Sequence, residues 1–248
     1  MISLPNVTND YLDLTVEDYF SIREDVDIFF TSDVYRSKKD EYSKLSDEKK
    51  KEVDICSDRV YNNACLIAPL ITEDIKSLVS DSVGMLLPLE HTIKTKESLR
   101  RKIISDSLDY FGDYSMAADM LRDSVRYTII LDDDNYIQKV DEYLHKLQDM
   151  GYQNIEVKNN WNDLKCRGIN SKIKTKDGKT YFELQFHTPM GHQVKEGSTR
   201  DLYQIIREMQ ADASLRDRAS KLRRLLQSKI NIPQGALDYQ YDSEIKRR

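Results

Sequence analysis

The sequence predicts an α+β protein, a β-sheet flanked by helices behind a helical N-terminal region. Three observations lead there. Apolar residues recur at helical spacing before residue 90. A β-branched and aromatic run, Val125–Leu131, is followed by a helical pattern and a second strand pattern. Tyr181–Thr188 alternates strictly, with Leu184 and Phe186 on one face and Glu183, Gln185 and His187 on the other.

Of 248 residues, 33% are charged and 39% hydrophobic, with 8 Gly and 5 Pro, which fits a globular and rather helical chain. A net charge of -5 argues against duplex binding through bulk electrostatics, so phosphate binding must be sought in local clusters. Three cysteines, Cys56, Cys65 and Cys166, fit neither a zinc spacing nor a disulfide framework and suggest a reducing compartment. Met1–Asp10 lacks a basic stretch leading into an apolar one, and no apolar run is long enough to span a bilayer. No membrane partner is expected.

Residues 1–90 read as the helical N-terminal region. Val60, Ala64, Ile67 and Ile71 share one face, as do Ile75, Leu78, Val79, Val83 and Leu86. Pro69 interrupts the first pattern and Pro88 ends the second, so helix boundaries are expected near both. The charge run Lys38–Lys51 has no apolar stripe and reads as a solvated loop or helix face. From His91 a basic segment begins, with Leu99, Ile103 and Leu108 as its apolar positions and Thr95 or a neighbour as cap. A helix starting near Lys96 would set its first N–H groups beside Lys94 and Ser98, with Lys102 one turn further on, as an anion site.

Asp123 stands at the mouth of the Val125–Leu131 strand, where a carboxylate beside a basic helix suits a Mg²⁺ ligand. Asp132–Asp134 reads as a loop and N-cap. A helix from Tyr136 carries Ile137, Val140, Leu144 and Leu147 on one face and closes at Gly151, before a strand at Ile155–Val157. Asp177-Gly178 turns one strand into the next, setting Asn170, Lys172 and Lys174 beside Glu183, Gln185 and His187. Leu202–Met209 and Leu215–Leu226 read as two helices, with Arg216, Arg218, Arg223 and Arg224 on the solvated side. Residues 211–248 form a C-terminal helix and tail, loose after Pro233.

Between residues 91 and 200 these features resemble the synthetase domain of the RelA/SpoT-like nucleotide pyrophosphokinases, the alarmone synthetases. Lys94, Ser98 and Lys102 match the family's basic stretch at its spacing. Asp123 and Arg126 match its metal-binding strand, Gly168-Ile169-Asn170 its acceptor stretch, and Glu183-Leu-Gln-Phe-His-Thr188 its second acidic strand. His192-Gln-Val-Lys-Glu196 resembles the segment that follows. Departures are Thr92 for the family's first Arg, a shorter Asp123–Arg126 interval, and Cys166 in place of a Tyr that stacks on the acceptor base. Loss of such a platform removes a contact worth about 1–3 kcal/mol. The Arg-Tyr-Thr and Glu-Leu-Gln-Phe-His-Thr spellings are more like those of divergent toxin-type or effector-type members.

The resemblance implies a nucleotidyltransferase-like fold for residues 91–210. It implies an ATP-dependent diphosphotransferase, synthetase only, that moves the β,γ-pyrophosphoryl group of ATP to the 3′-hydroxyl of a guanosine or adenosine nucleotide. Asp123 and Glu183 would hold Mg²⁺, with Glu183 or a water on it as general base. Lys94, Ser98 and Lys102 would hold phosphates, and Arg126, Asn170, Gln185 and His187 would orient donor or acceptor. A tRNA 3′ end is an alternative acceptor, and a catalytically inactive interaction module on the same fold is the alternative to an enzyme. Residues 1–90 are a candidate dock for a protein partner or inhibitor. The expected location is a cytoplasm, either the producing cell's own or that of a target cell reached by non-classical export.

Overall fold

The computed structural model describes residues 13–36, 41–208 and 210–241. Its first helix, α1 (Val16–Thr31), is fixed by a capping box. Thr15 Oγ1 accepts from Asp18 N at 3.1 Å, and Asp18 Oδ2 accepts from Thr15 N at 2.8 Å. A single turn, α2 (Asp33–Arg36), follows, then α3 (Asp47–Ser80), capped by Ser46. Residues 41–45 form a turn and 47–51 open α3; the rest of the charge run, Lys38–Asp40, lies outside the described residues.

Pro69 does not end a helix, contrary to expectation, because α3 runs through it. A proline inside a helix costs about 3 kcal/mol. Ala64, Ala68, Ile71, Ile75 and Leu78 are buried on both sides of it, and full burial of one large aliphatic side chain returns about 1.5–3 kcal/mol. Tyr127 Oη also donates to Ala68 O at 3.0 Å, tying the carbonyl before the proline to the sheet. The helix stops at Asp81, so Val83 is exposed and Leu86 lies in a strand, where helix had been expected for both.

That strand, β1 (Met85–Leu86), leads to α4 (Lys96–Ser107), capped by Thr95 as expected, with Leu99 and Ile103 buried. Leu108 is exposed rather than apolar-facing: the helix tightens into a 3₁₀ turn at Leu108–Tyr110 and reverses at Phe111, whose φ is 56°. α5 (Tyr114–Asp119) precedes β2 (Arg126–Ile130). The loop Asp132–Asp134 provides no cap; Asn135 occupies the N-cap position of α6 (Tyr136–Asp149) without a side-chain bond. Then come β3 (Gln153–Asn159), β4 (Ile169–Lys174), β5 (Tyr181–His187), α7 (Pro189–Gln193), a π-turn at Val194–Ser198, α8 (Arg200–Arg207) and α9 (Ala213–Ser228). Met209 lies outside the described residues.

The chain divides into two compact units. One contains α1, α2, Trp161–Arg167 and Met190–Asn231. Its core joins Ile22 and Val26 of α1 to Leu202 and Ile205 of α8 and Leu215, Ala219 and Leu222 of α9. None of the four α9 arginines is fully solvated. Arg218 pairs with Asp25 at 2.8 Å and Arg223 lies over the Tyr203 ring.

The other unit contains the sheet, α3 to α6 and the chain from Ile232. Strand order is β1-β2-β5-β4-β3, with β2 parallel to β5 and the remaining pairs antiparallel, so the sheet is mixed and flanked by helices. Tyr127, Ile129, Phe182, Leu184 and Phe186 are its buried apolar positions, and the Tyr143 and Tyr152 rings pack on Phe186 and Phe182. The segment after Pro233 is anchored rather than loose. Asn159 Nδ2 donates to Ala236 O and Tyr239 O, and Tyr239 Oη donates to Asp141 Oδ1 at 2.6 Å. Residues 242–248 lie outside the described residues. Among the described residues no helix is long and apolar enough to cross a membrane.

Candidate active site

Backbone pairing draws four distant stretches of sequence together within the sheet unit. Thr92 O accepts from Arg126 N at 2.8 Å and Lys94 N donates to Ser124 O at 3.0 Å, so Ile93 forms an antiparallel bridge with Val125 just before β2. On the other side of β2, Arg126 registers with Glu183 of β5. Across β5, Lys172 registers with Glu183 and Asn170 with Gln185. Partners in register point to the same face, so Arg126, Lys172, Asn170, Glu183 and Gln185 share one side of the sheet, opposite Tyr127, Leu184 and Phe186.

On that side the charges interlock. Lys94 Nζ stands 3.0 Å from Asp123 Oδ2 and donates to Asp123 O at 2.9 Å. Arg126 reaches both carboxylates, at 3.6 Å from Asp123 Oδ2 and 2.6 Å from Glu183 Oε2, and Gln185 Nε2 donates to Glu183 Oε1 at 3.0 Å. Burial works against ionised Asp123, but Lys94, Lys102 and Arg126 outweigh it and hold the carboxyl below its ordinary range. Burial, then the neighbouring Arg126 charge, brings the Lys94 ammonium below its ordinary value, against the attraction of Asp123.

The remaining expected residues fall near this network with different surroundings. Thr95 caps α4 by accepting from Ser98 N at 3.2 Å, and its hydroxyl donates to Ser98 Oγ at 3.0 Å. The first N–H groups of α4, those of Lys96 and Glu97, have no intrahelical acceptor and follow Lys94 closely in the chain. Lys102 pairs with Asp106 at 3.1 Å. Asn170 Oδ1 is buried with no hydrogen-bond partner. The polar face of β5 is itself buried, with Glu183 8% and His187 1% exposed. Gly168 explains the His187 environment: a Cβ there would stand 2.5 Å from His187 Nδ1, so the imidazole packs against glycine backbone.

Two features of the site are not among the sequence-derived candidates. Tyr181 lies on the Glu183 face, with the Arg122 guanidinium 5.0 Å and the Lys174 ammonium 5.9 Å from its ring centroid. The alternation includes Tyr181, but nothing in the sequence places Arg122 on it. A cleft of about 720 Å³ opens between α3 and residues 89–95, lined among others by Tyr61, Cys65, Thr72, Thr92 and Thr95. It adjoins the start of α4, though neither Asp123 nor Glu183 lines it.

The chemistry of the donors suits Mg²⁺, which takes one or two carboxylates and fills its other positions with water and phosphate oxygens. Asp123 Oδ1 is buried with no hydrogen-bond partner, and each Glu183 oxygen keeps a second lone pair beyond its bond to Arg126 or Gln185. Among the described residues no cluster of three or more His, Cys, Asp or Glu could form an all-protein metal cage.

No protein-family profile matches the chain, and no curated protein matches its sequence. Several solved structures align with it, among them these three. One is smu.1046c from Streptococcus mutans UA159, with 14% identity over 68% of this chain and 87% of that chain, at a TM-score of 0.43. Another is a GTP pyrophosphokinase family protein from Streptococcus pneumoniae, with 12% identity over 74% of this chain and 90% of that one, at 0.41. The third is the small alarmone synthetase 1 of Bacillus subtilis bound to its product pppGpp, with 11% identity over 73% and 95%, at 0.37. Likeness at this level assigns no activity to the chain.

Proposed function

We propose that the protein is an ATP-dependent nucleotide pyrophosphokinase of the RelA/SpoT-like kind, with a nucleotidyltransferase-like sheet unit. The observation that supports this most is the convergence of Lys94, Asp123, Arg126, Glu183 and Gln185 on one interlocked site. These residues come from separate stretches that share spelling and order with the family's motifs. In the proposed reaction the acceptor's 3′-oxygen attacks the β-phosphorus of ATP, the bond from that phosphorus to the α,β-bridging oxygen breaks, and AMP leaves. Glu183, or a water on it, takes the hydroxyl proton. Lys94, Lys102 and the first N–H groups of α4 neutralise the triphosphate, with Ser98 as a further donor. Asp123 and Glu183 would hold Mg²⁺, which supplies charge neutralisation at the β- and γ-phosphates. Arg126, Asn170, Gln185 and His187 orient donor or acceptor. A guanosine or adenosine nucleotide is the acceptor, and a tRNA 3′ end is the alternative.

The test uses ATP labelled in its β and γ phosphates with a panel of nucleotides and tRNA. A labelled acceptor that disappears with Glu183→Gln supports the proposal. No labelled acceptor in any lane overturns it.

A second reading, a binding module without chemistry, is favoured by one observation: both carboxylates are already paired, Asp123 with Lys94 and Glu183 with Arg126. Calorimetry separates the readings, since the enzyme binds ATP in a Mg²⁺-dependent way and the module does not. A toxin or effector role, with the helices before residue 90 as a dock for a partner, belongs to the proposal and follows from the family spelling alone.

A further inference from the structure

None of the residues assigned to the candidate active site comes from α9. That helix carries Arg216, Arg218, Lys221, Arg223 and Arg224 against the single acid Asp217, in a chain of net charge -5. Arg218 is matched by Asp25 at 2.8 Å and Lys221 by Asp217 at 3.1 Å. Arg223 has no such match. Its guanidinium lies 4.8 Å from the Tyr203 ring centroid, its Nε is buried with no hydrogen-bond partner, and no carboxylate of the described residues stands within ion-pair distance. Arg207, in the last turn of α8, lies 5.3 Å from the same centroid and donates to Tyr203 Oη at 3.2 Å, also without a carboxylate partner among the described residues.

Two guanidinium groups standing on one phenol ring are within about 10 Å of each other. Across that distance they repel one another. Two cation–π contacts at partly exposed positions offset part of that repulsion. Leu202, Ile205, Leu215 and Leu222, packed in one core, fix α8 against α9 and keep the two cations together. Lys195 and Arg223 both act on the Cys166 thiol, which burial nonetheless pushes up. Burial also lowers the proton affinity of Arg223, with Cys166, Tyr203 and Asp163 opposing it. Asp163 is thus the acid whose field reaches Arg223, from beyond pairing distance. An anion placed here would relieve the repulsion.

We infer that Arg207 and Arg223, held together on the Tyr203 ring, form a phosphate-binding site made of residues the candidate active site does not use. Guanidinium groups donate to phosphate oxygens in a fork geometry. The same chemistry is presented by a free nucleotide and by a polynucleotide backbone.

The test is calorimetric titration of the full chain carrying Lys94→Gln and Lys102→Gln, which weaken the other anion site. The probes are inorganic pyrophosphate, ATP and a single-stranded RNA oligonucleotide, each at low and high salt. The expected result is one binding event, weakened by salt and by about tenfold or more with Arg223→Gln. Arg207→Gln, at an exposed position that does not endanger folding, gives a loss of the same kind. Arg218→Gln, whose partner is Asp25, leaves the probe's affinity unchanged. Tighter binding of RNA than of pyrophosphate assigns the site to a polynucleotide backbone, and the reverse order assigns it to free nucleotides. Absence of binding by all three probes, or equal affinity with and without Arg207→Gln, overturns the inference.

Discussion

Arg126 Nε lies 2.6 Å from Glu183 Oε2, and the two residues are also register partners across the parallel β2–β5 pair. The sheet itself therefore sets the ion pair, and losing the charge at Glu183 need not move the backbone.

That separation of charge from scaffold makes Glu183→Gln informative. Its amide oxygen still accepts from Arg126, while the carboxylate that would hold Mg²⁺ and take a proton is gone. Arg126 is partly exposed and keeps Asp123 at 3.6 Å, so the expected stability loss is about 1–2 kcal/mol rather than the larger cost of stranding a fully buried charge. Labelled-acceptor formation should fall by about two orders of magnitude or more. Thermal denaturation beside the product assay checks both. Equal loss of fold and activity would place Glu183 among structural residues.

Asp123 should govern the acid limb of stability. Its folded pKa is held below the ordinary 3.8, since Lys94, Lys102 and Arg126 outweigh burial. A depressed carboxyl pKa stabilises the fold fully above the unfolded value, and that stabilisation is lost as pH falls through the folded value. Asp123→Asn removes the titration. In urea titrations from neutral pH down to about pH 2, the variant should start less stable and lose less on acidification than wild type. Parallel curves for the two proteins would contradict this.

Much of the sheet was legible because its signals are local. The alternation at Tyr181–Thr188, the Asp177-Gly178 turn and the β-branched run at Val125 each specify a strand within a few residues, and all three strands form where expected. Thr95 was legible as a cap for the same reason. What failed depends on distant partners. Pro69 reads as a stop signal, yet Tyr127, 58 positions later, binds the Ala68 carbonyl beside it. Leu108 fits the apolar stripe of α4, but α4 ends one residue earlier. The tail after Pro233 has no apolar period, and hydrogen bonds from Asn159 and Tyr239 anchor it instead. In the site, residue types and order came from local motifs. The pairing of Lys94 with Asp123, of Arg126 with Glu183, and of Arg122 with Tyr181 came from strand order, which no local signal encodes.

Gly168 should tolerate no side chain. Its φ is 143°, and an added Cβ would meet Phe186 O at 2.8 Å and His187 Nδ1 at 2.5 Å. Gly168→Ala is expected to cost about 2–4 kcal/mol in urea denaturation, from backbone strain and steric conflict together. Adding His187→Ala removes the ring contact but not the backbone oxygen, so it should restore only part of the loss. Full restoration would show that the ring alone demands the glycine.

Pro69 offers the opposite case, a residue whose removal should stabilise. It lacks the N–H that would bond to Cys65 O, and its ring crowds that carbonyl within a helix that continues to Ser80. It is also exposed, so replacement forfeits little packing. Pro69→Ala restores one intrahelical bond with the best helix former, against a loss of unfolded-state rigidity worth about 0.4–1 kcal/mol. The net gain should be about 1–2 kcal/mol, read as a higher Tm. Because Pro69 lines the cleft beside Thr92 and Thr95, the same variant also reports on that cleft. A rise in Tm with unchanged Mg²⁺-dependent ATP binding would mean that the proline serves neither the helix nor the nucleotide. A rise in Tm with weakened ATP binding would mean that the break in the α3 hydrogen-bond ladder shapes the cleft for a ligand.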